Sequence, residues 1–278
     1  MAHLLRYGAS DLTSLIRGNT QHNYAHKHAF HIYDTNSVYS MVPKNGCTSL
    51  RVSIALQNGA IADESQWAWI HNNNDTFRPS LRELALARYR FTILRCPYSR
   101  LVSCFLDKIL KRTQDAWQFH AATGMAVGLE RLTFRRFCTE LMKPQIRTVN
   151  LHWRPQIDFL VYDDYDDVFC FESFDEIIPA LKKRAGLTVV DARPLARHDS
   201  SHYKVLPLAK PFADTELWQV EQLQMSGMRP DPRSFFDDEL KAMIAAAYAD
   251  DFRLYLEHFP GQSLFEPPAR PSLATVTG

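Results

Sequence analysis

Residues 37–56 read SVYSMVPKNGCTSLRVSIAL, and this stretch decides the fold. An apolar strand, the tight turn PKNG and a helix with an apolar face follow one another. Pro43 fixes its own φ and Gly46 permits the positive φ that such a turn often needs. Thr48 or Ser49 is expected to cap the helix with its hydroxyl. The stretch therefore predicts a strand that feeds a helix through a tight turn.

Such a turn directs several backbone N–H groups at one point in front of the helix. The helix dipole adds partial positive charge there, and Lys44 adds a full charge, so phosphate or sulfate is the best-suited anion. An ordinary strand-turn-helix with a surface lysine is the alternative, and the stretch alone leaves it open. A Walker loop, G-x-x-x-x-G-K-[ST], is not present because Lys44 precedes Gly46, which disfavours ATP and GTP.

Length and composition restrict the class of protein. The chain has 278 residues, 46% hydrophobic content and a net charge of +1, which fits one large α/β domain or two small ones. A nearly neutral chain is not expected to bind nucleic acid or membrane surfaces in general. The five cysteines include no C-x-x-C pair and are expected to be reduced thiols.

No apolar run is long enough to span a membrane, and the first residues lack the apolar core of a secretory signal. We therefore expect no membrane anchor and a cytoplasmic location.

A second basic motif follows a second strand. The run YRFTIL predicts a buried strand that ends at Arg95, and Ser103 lies eight residues further on, inside the next helix. Four arginines lie between Glu83 and Asp107 with no acid among them. Arg95 could hold a phosphate with its guanidinium fork, and Ser103 could add its hydroxyl. The alternative is an arginine at a helix start with a buried serine.

Both motifs resemble those of PAPS-dependent sulfotransferases, which use 3′-phosphoadenosine 5′-phosphosulfate (PAPS). The run VPKNGCTSLR is similar to their 5′-phosphosulfate loop, P-K-x-G-x-[TS]-[TSW], and is closest to the Golgi-type carbohydrate sulfotransferases of family 2. By this resemblance, the loop residues that bind the cofactor are Lys44, Asn45, Gly46, Cys47, Thr48 and Ser49.

The resemblance extends along the chain. The 3′-phosphate signature R-[DN]-P-x-x-R-x-x-S is matched at Arg95, Pro97, Arg100 and Ser103, with Cys96 where the family usually has aspartate. An H-W-x-P-Q segment follows at residues 152–156, and the family's terminal Y-x-x-D-[FY] pattern is matched at residues 248–252.

The family implies an α/β fold, a P-loop-like three-layer sandwich with a central, mainly parallel sheet flanked by helices. We expect a solvated, histidine-rich N-terminal arm over residues 1–36 and a single catalytic domain over 37–260. A disordered tail is expected over 261–278. Within the domain, residues 237–258 predict one long helix.

The expected activity is transfer of the sulfuryl group of PAPS to a hydroxyl of a carbohydrate or glycolipid acceptor, leaving PAP (adenosine 3′,5′-bisphosphate). No metal is required, and a homodimer is left open. Lys44 would neutralise charge on the leaving phosphate. His152 is the expected base, since histidine titrates near neutrality. A structural histidine beside Trp153 is the alternative, and the reserve bases are Glu172, His202 and His120.

Two other classes of function stay open. A P-loop-like nucleotide kinase is disfavoured because the Walker lysine position and a magnesium-binding aspartate after a strand are missing. A non-catalytic module that binds PAPS or a glycan is not excluded by the sequence.

Overall fold

A central four-stranded sheet organises the chain, in the strand order β1-β2-β3-β4. The computed structural model describes residues 2–10, 15–126, 128–192, 194–195, 203–208, 210–262 and 264–265. The strands of the central sheet are β1 Ala29–Ile32, β2 Ser37–Ser40, β3 Tyr89–Leu94 and β4 Asp167–Cys170. A small second sheet pairs β5 Lys204–Val205 with β6 Met228–Arg229.

The rest of the described chain consists of helices and the loops that connect them. Those before β4 are α1 Thr20–Lys27, α2 Cys47–Gln57, α3 Leu81–Leu86, α4 Pro97–Cys104, α5 Gln114–Thr123, α6 Phe134–Leu141 and α7 Pro144–Arg147. Those after β4 are α8 Phe174–Ala185, α9 Leu217–Met225, α10 Asp238–Ala247 and α11 Ala249–His258. A π-helical turn, Phe105–Ile109, directly continues α4. In the part of the chain given above, no helix is long and apolar enough to cross a bilayer.

The central sheet is mainly parallel, as predicted. β2 pairs parallel with β3, and β3 pairs parallel with β4, so the carboxyl ends of three strands meet at one edge. β1 pairs antiparallel with β2 at the side of the sheet. Residues 29–32 are therefore part of the sheet, and the prediction of a solvated arm over residues 1–36 is wrong for this segment.

Helices cover both faces of the sheet. Because side chains alternate between the faces of a strand, Phe30, Tyr39 and Phe91 share one face, and they pack against α2 and α8. Val38 lies on the opposite face and packs against α1 and α3. These layers confirm the α/β class and agree with a three-layer sandwich. The P-loop-like detail stays a prediction.

Another apolar cluster lies beside the sheet and is larger than the one between the sheet and helices α2 and α8. It joins α4, α5, α6 and the late helices α9, α10 and α11. Trp153 is fully buried in it, edge-on to the rings of Phe119 and Phe137. The Trp153 ring also donates a hydrogen bond of 2.9 Å to the carbonyl oxygen of Ile146. Trp153 thereby fixes the segment that carries His152.

The predicted long helix over residues 237–258 is two helices. The chain breaks at Tyr248, whose φ of −115° and ψ of 33° lie outside the α-helical range. The Tyr248 hydroxyl donates to the carbonyl oxygen of Trp153 at 2.7 Å. Amphipathic spacing continues through the break, so the sequence pattern alone did not reveal it.

The histidine-rich N-terminal segment is ordered and largely inside the protein. His22, His28 and His31 are buried, and burial lowers the pKa of His28 to about 4. Among the described residues, no three histidine, cysteine or acidic side chains lie close enough together to hold a metal ion. All five cysteines are free thiols, as expected. Phe265, within the predicted disordered tail, stacks on the Tyr98 ring, so that prediction is wrong at this residue. Residues 263 and 266–278 lie outside the described residues.

The position of Trp153 predicts a large effect on stability. Trp153→Ala should lower the free energy of unfolding by about 3–5 kcal/mol, the usual cost of deleting a large buried aromatic side chain. Trp117→Ala is the matched control because that side chain is 57% exposed, and it should change stability by less than about 0.5 kcal/mol. Urea denaturation of both variants measures the difference, and similar losses would contradict the packing described.

Candidate active site

The turn between β2 and α2 has the positive φ at Gly46 that the sequence predicts, and a second one at Lys44 that it does not. Lys44 and Gly46 have φ values of +73° and +77°, in the left-handed region. A Cβ atom on Gly46 would lie 2.8 Å from the Phe174 ring, so only glycine fits there. Gly46 is the N-cap of α2 and no side chain caps this helix. The first N–H groups of α2 are therefore left facing the turn.

Two side chains of this turn serve the fold. Asn45 is fully buried and donates to the carbonyl oxygen of Ile93 at 2.8 Å. Ser49 is also buried, and its hydroxyl accepts a hydrogen bond from the Ala192 N–H. The prediction that Thr48 or Ser49 caps the helix is wrong. Lys44, Cys47 and Thr48, by contrast, are partly exposed.

Lys44 makes an ion pair with Asp107. The Lys44 Nζ lies 2.7 Å from Asp107 Oδ2, and both side chains are only 13% exposed. Lys108 and Lys111 contact the same carboxylate at 3.4 and 2.9 Å. Asp107 belongs to the π-helical turn, an irregularity that is frequent at functional sites. We call Lys44, Lys108 and Lys111 the lysine cluster. Three lysines around one carboxylate leave this side of the site positively charged.

Arg95 connects the second motif to the first. Its Nη1 donates to the carbonyl oxygen of Lys44 at 2.9 Å, and its guanidinium lies 4.6 Å from the centre of the Phe171 ring. Burial lowers the pKa of Arg95, and the Glu172 carboxylate opposes that shift. The Nε atom is buried and has no hydrogen-bond partner within the described ranges. An anion that reaches this nitrogen would satisfy it.

A cleft of about 590 Å³ opens beside Arg95. Ser99 of α4, Glu172 and two late arginines, Arg229 and Arg233, contribute to its lining. Phe171, Phe174 and Phe265 provide the apolar part of the wall. Asp175 and Asp231 also line the cleft, and Asp231 pairs with Arg233 at 2.7 Å. The cleft therefore combines arginines and carboxylates with aromatic rings, and its arginines and rings suit a phosphorylated nucleotide.

Ser103 is not among the residues that line this cleft. It is partly buried on α4. It follows Ser99 at a four-residue interval and therefore lies one turn further along the same helix face. That face leads from the cleft towards Asp107 and Lys44. The structure thus brings Arg95 and Ser99 together, with Ser103 further along towards the lysine cluster.

Glu172, a reserve base, is held by the fold. Its Oε1 accepts a hydrogen bond from the Cys96 N–H at 3.0 Å, and its Oε2 accepts one from the Tyr255 hydroxyl at 3.1 Å. The first of these bonds comes from a backbone N–H, so it does not depend on the cysteine side chain at position 96. Glu172 lines the cleft beside Arg95. Its hydrogen bonds go to Cys96 and Tyr255 and not to the lysine cluster.

His152 lies near the lysine cluster. Its Nε2 is 3.7 Å from Asp115 Oδ2, and its side chain is 20% exposed. Burial and the positive charge of Lys108 together lower the pKa of His152 to about 3, so the imidazole is neutral. Its Nδ1 is buried without a hydrogen-bond partner in the residues described. The ordinary histidine pKa that the sequence led us to expect for His152 is too high, because the sequence does not show that the side chain is buried.

One family model matches most of the chain. The model of the sulfotransferase family, family 2, matches residues 27–256. The chain belongs to this sulfotransferase family. The matched region includes β1 and both phosphate-type motifs. No curated protein and no solved structure matches the chain significantly.

Membership of the sulfotransferase family supports sulfotransfer activity and implies a PAPS-type sulfuryl donor. Sequence reasoning missed Arg229 and Arg233, which reach the cleft of this sulfotransferase from the end of the second sheet. Their distance of more than 130 residues from Arg95 hid the association, and no local motif marks them. The reserve base His202 lies outside the described residues, and His120 contacts the exposed Trp117 ring.

Gly46 provides a test of the turn that needs no ligand. Gly46→Ala combines a left-handed backbone with a clash against Phe174, whereas Gly59→Ala keeps a φ of +74° and has nothing within 4 Å of the new Cβ. Gly59→Ala should cost about 1 kcal/mol from the backbone alone. Gly46→Ala should cost about 1–3 kcal/mol more because of overpacking. Urea denaturation measures both, and equal losses would show that the phenylalanine ring yields.

Proposed function

We propose that the protein transfers the sulfuryl group of PAPS to a hydroxyl group of a carbohydrate or glycoconjugate acceptor. The observation that carries this proposal is the hydrogen bond of 2.9 Å from Arg95 to the carbonyl oxygen of Lys44. It joins the two phosphate-type motifs at the carboxyl ends of neighbouring parallel strands. Ligands of open α/β sheets bind at that edge.

The residues of this edge fit the two ends of PAPS. The turn after β2 offers the N–H groups of α2 and the ammonium group of Lys44 for a phosphosulfate. Arg95 offers its guanidinium for a 3′-phosphate, with Ser99, Arg229 and Arg233 lining the same cleft. The aromatic wall of that cleft suits the adenine ring.

The chemistry is a displacement at sulfur. The acceptor oxygen forms a bond to sulfur while the bond from sulfur to the phosphate oxygen breaks, and the acceptor loses its proton. Lys44 and the N–H groups of the turn stabilise the charge that develops on the leaving phosphate. His152 accepts the acceptor proton, since its imidazole is neutral and lies beside the lysine cluster.

The low pKa of His152 is a property of the free protein. Desolvation and Lys108 both disfavour the imidazolium. A negatively charged sulfuryl group beside the ring would favour it and raise the pKa of His152. Binding of the donor thus makes His152 a stronger base at the stage when a base is needed.

Nucleotide binding tests the donor site. PAP should raise the Tm much more than ADP does, because only PAP carries the 3′-phosphate. Arg95→Ala should weaken PAP binding by about ten- to hundredfold, the usual worth of a hydrogen bond to a charged group, and bring PAP close to ADP. The control is Arg112→Ala, since Arg112 pairs with Glu221 on the surface and should leave both affinities unchanged.

Two results would contradict this assignment. Equal stabilisation of the wild-type protein by PAP and ADP would remove the 3′-phosphate site. Tight magnesium-dependent ATP binding would favour a kinase. Transfer of label from radiolabelled PAPS to members of a carbohydrate library distinguishes a sulfotransferase from a binding module, which would hold PAP and transfer nothing.

His152→Ala should lower kcat by about 10²–10⁴-fold with little change in PAP affinity, because a base acts on the acceptor. The kcat/KM for PAPS, which reports the free protein, should stay level from about pH 8 to about pH 6.5, where a histidine of ordinary pKa would already be half protonated, since the pKa of His152 is lowered to about 3. His120→Ala is the comparison variant. A fall in Tm with kcat per folded molecule intact would make His152 structural.

A further inference from the structure

Gln156 lies between the two halves of the proposed donor site. It is 1% exposed and follows Trp153 in the H-W-x-P-Q segment. Its Oε1 accepts hydrogen bonds from the Asn45 Nδ2 at 2.8 Å and from the Arg95 N–H at 3.1 Å. Its Nε2 donates to the carbonyl oxygen of Arg95 at 2.9 Å. One side chain therefore contacts both the turn after β2 and the residue at the end of β3.

The backbone of Gln156 is fixed from the other side. The two oxygens of Asp251 accept hydrogen bonds from the N–H groups of Gln156 and Ile157 at 2.8 and 3.0 Å. Asp251 is buried on α11, and burial raises its pKa to about 6. The late helix thus holds Gln156 in place, and Gln156 in turn holds Asn45 and Arg95.

We propose that Gln156 is a positioning residue that sets the spacing between the phosphosulfate turn and Arg95, so that one donor molecule can engage both. This inference rests on the proposed function. Gln156 is absent from the lining of the cleft, so it acts through Asn45 and Arg95.

Only a carboxamide makes this set of contacts. The carbonyl oxygen of the side chain receives two donors, and the amide nitrogen serves one acceptor. Glutamate keeps the shape and the acceptor oxygens, but it cannot donate to the carbonyl oxygen of Arg95. Leucine has a similar size and makes none of the three hydrogen bonds.

The spacing matters because PAPS is a bivalent ligand. When two groups on one molecule bind two sites, the second contact is intramolecular, and its benefit is lost if the geometry forbids simultaneous binding. A protein that has lost the correct spacing should still bind a nucleotide with one phosphate. It should lose the extra affinity of a nucleotide with two.

The test compares three ligands by calorimetry: PAP, 5′-AMP and 3′-AMP. Gln156→Glu and Gln156→Leu should weaken PAP binding by about tenfold or more, while the Kd of each mononucleotide changes by less than about threefold. The control is Tyr162→Phe, which removes a buried hydrogen bond of 2.8 Å to the carbonyl oxygen of Leu84, outside the site. It should lower the Tm and leave all three Kd values unchanged.

Each other outcome overturns the inference. A lower Tm with unchanged PAP affinity would make Gln156 merely structural. If one mononucleotide lost as much affinity as PAP does, Gln156 would affect only the end of the site that binds that mononucleotide. If Gln156→Leu does not fold, Asn45→Ala removes the contact from the side of the turn and gives the same readout. Wild-type protein that binds PAP no better than the mononucleotides would overturn the proposed function itself, and this inference with it.

Discussion

The buried guanidinium of Arg100 holds the site together. Arg100 is 1% exposed, and its guanidinium donates to the carbonyl oxygens of Pro43 at 3.0 Å and Arg154 at 2.8 Å. A charge removed from water is expensive unless its donors are satisfied, and backbone carbonyls satisfy these. Because Arg100 belongs to α4, that helix, the turn after β2 and the segment beside His152 cannot move apart without exposing an unsatisfied cation.

The local elements of the fold could be predicted from the sequence, whereas the long-range ones could not. The strand that ends at Arg95 and the helix that begins at Cys47 have strong local patterns, and both are confirmed. β1 is only four residues long and is buried along its whole length, so no alternation marks it. The break at Tyr248 depends on a hydrogen bond to Trp153, far away in sequence, which no local pattern shows.

The candidate site also has parts that the sequence predicts and parts that only the folded chain reveals. Lys44 and Arg95 sit in motifs with characteristic spacing, and the structure brings them together. The contribution of Gln156 depends on three segments that meet only in the folded chain. Arg229 and Arg233 are brought to the cleft by the small second sheet, whose two-residue strands are too short to be recognised. The environment of His152 depends on burial beside Lys108, which a sequence does not display.

The π-helical turn after α4 has a consequence for tolerance to changes in chain length. In this turn the Leu110 N–H donates to the carbonyl oxygen of Phe105, so the loop holds one residue more than an α-helical turn does. Deletion of Leu106 would restore an α-helical turn and move Asp107 to the preceding position, which rotates its side chain by about 100° around the helix axis. The carboxylate would then leave Lys44, with which it pairs at 2.7 Å. The extra residue therefore sets the direction in which Asp107 points, and a deletion in this turn should be tolerated less well than a substitution of the same residue.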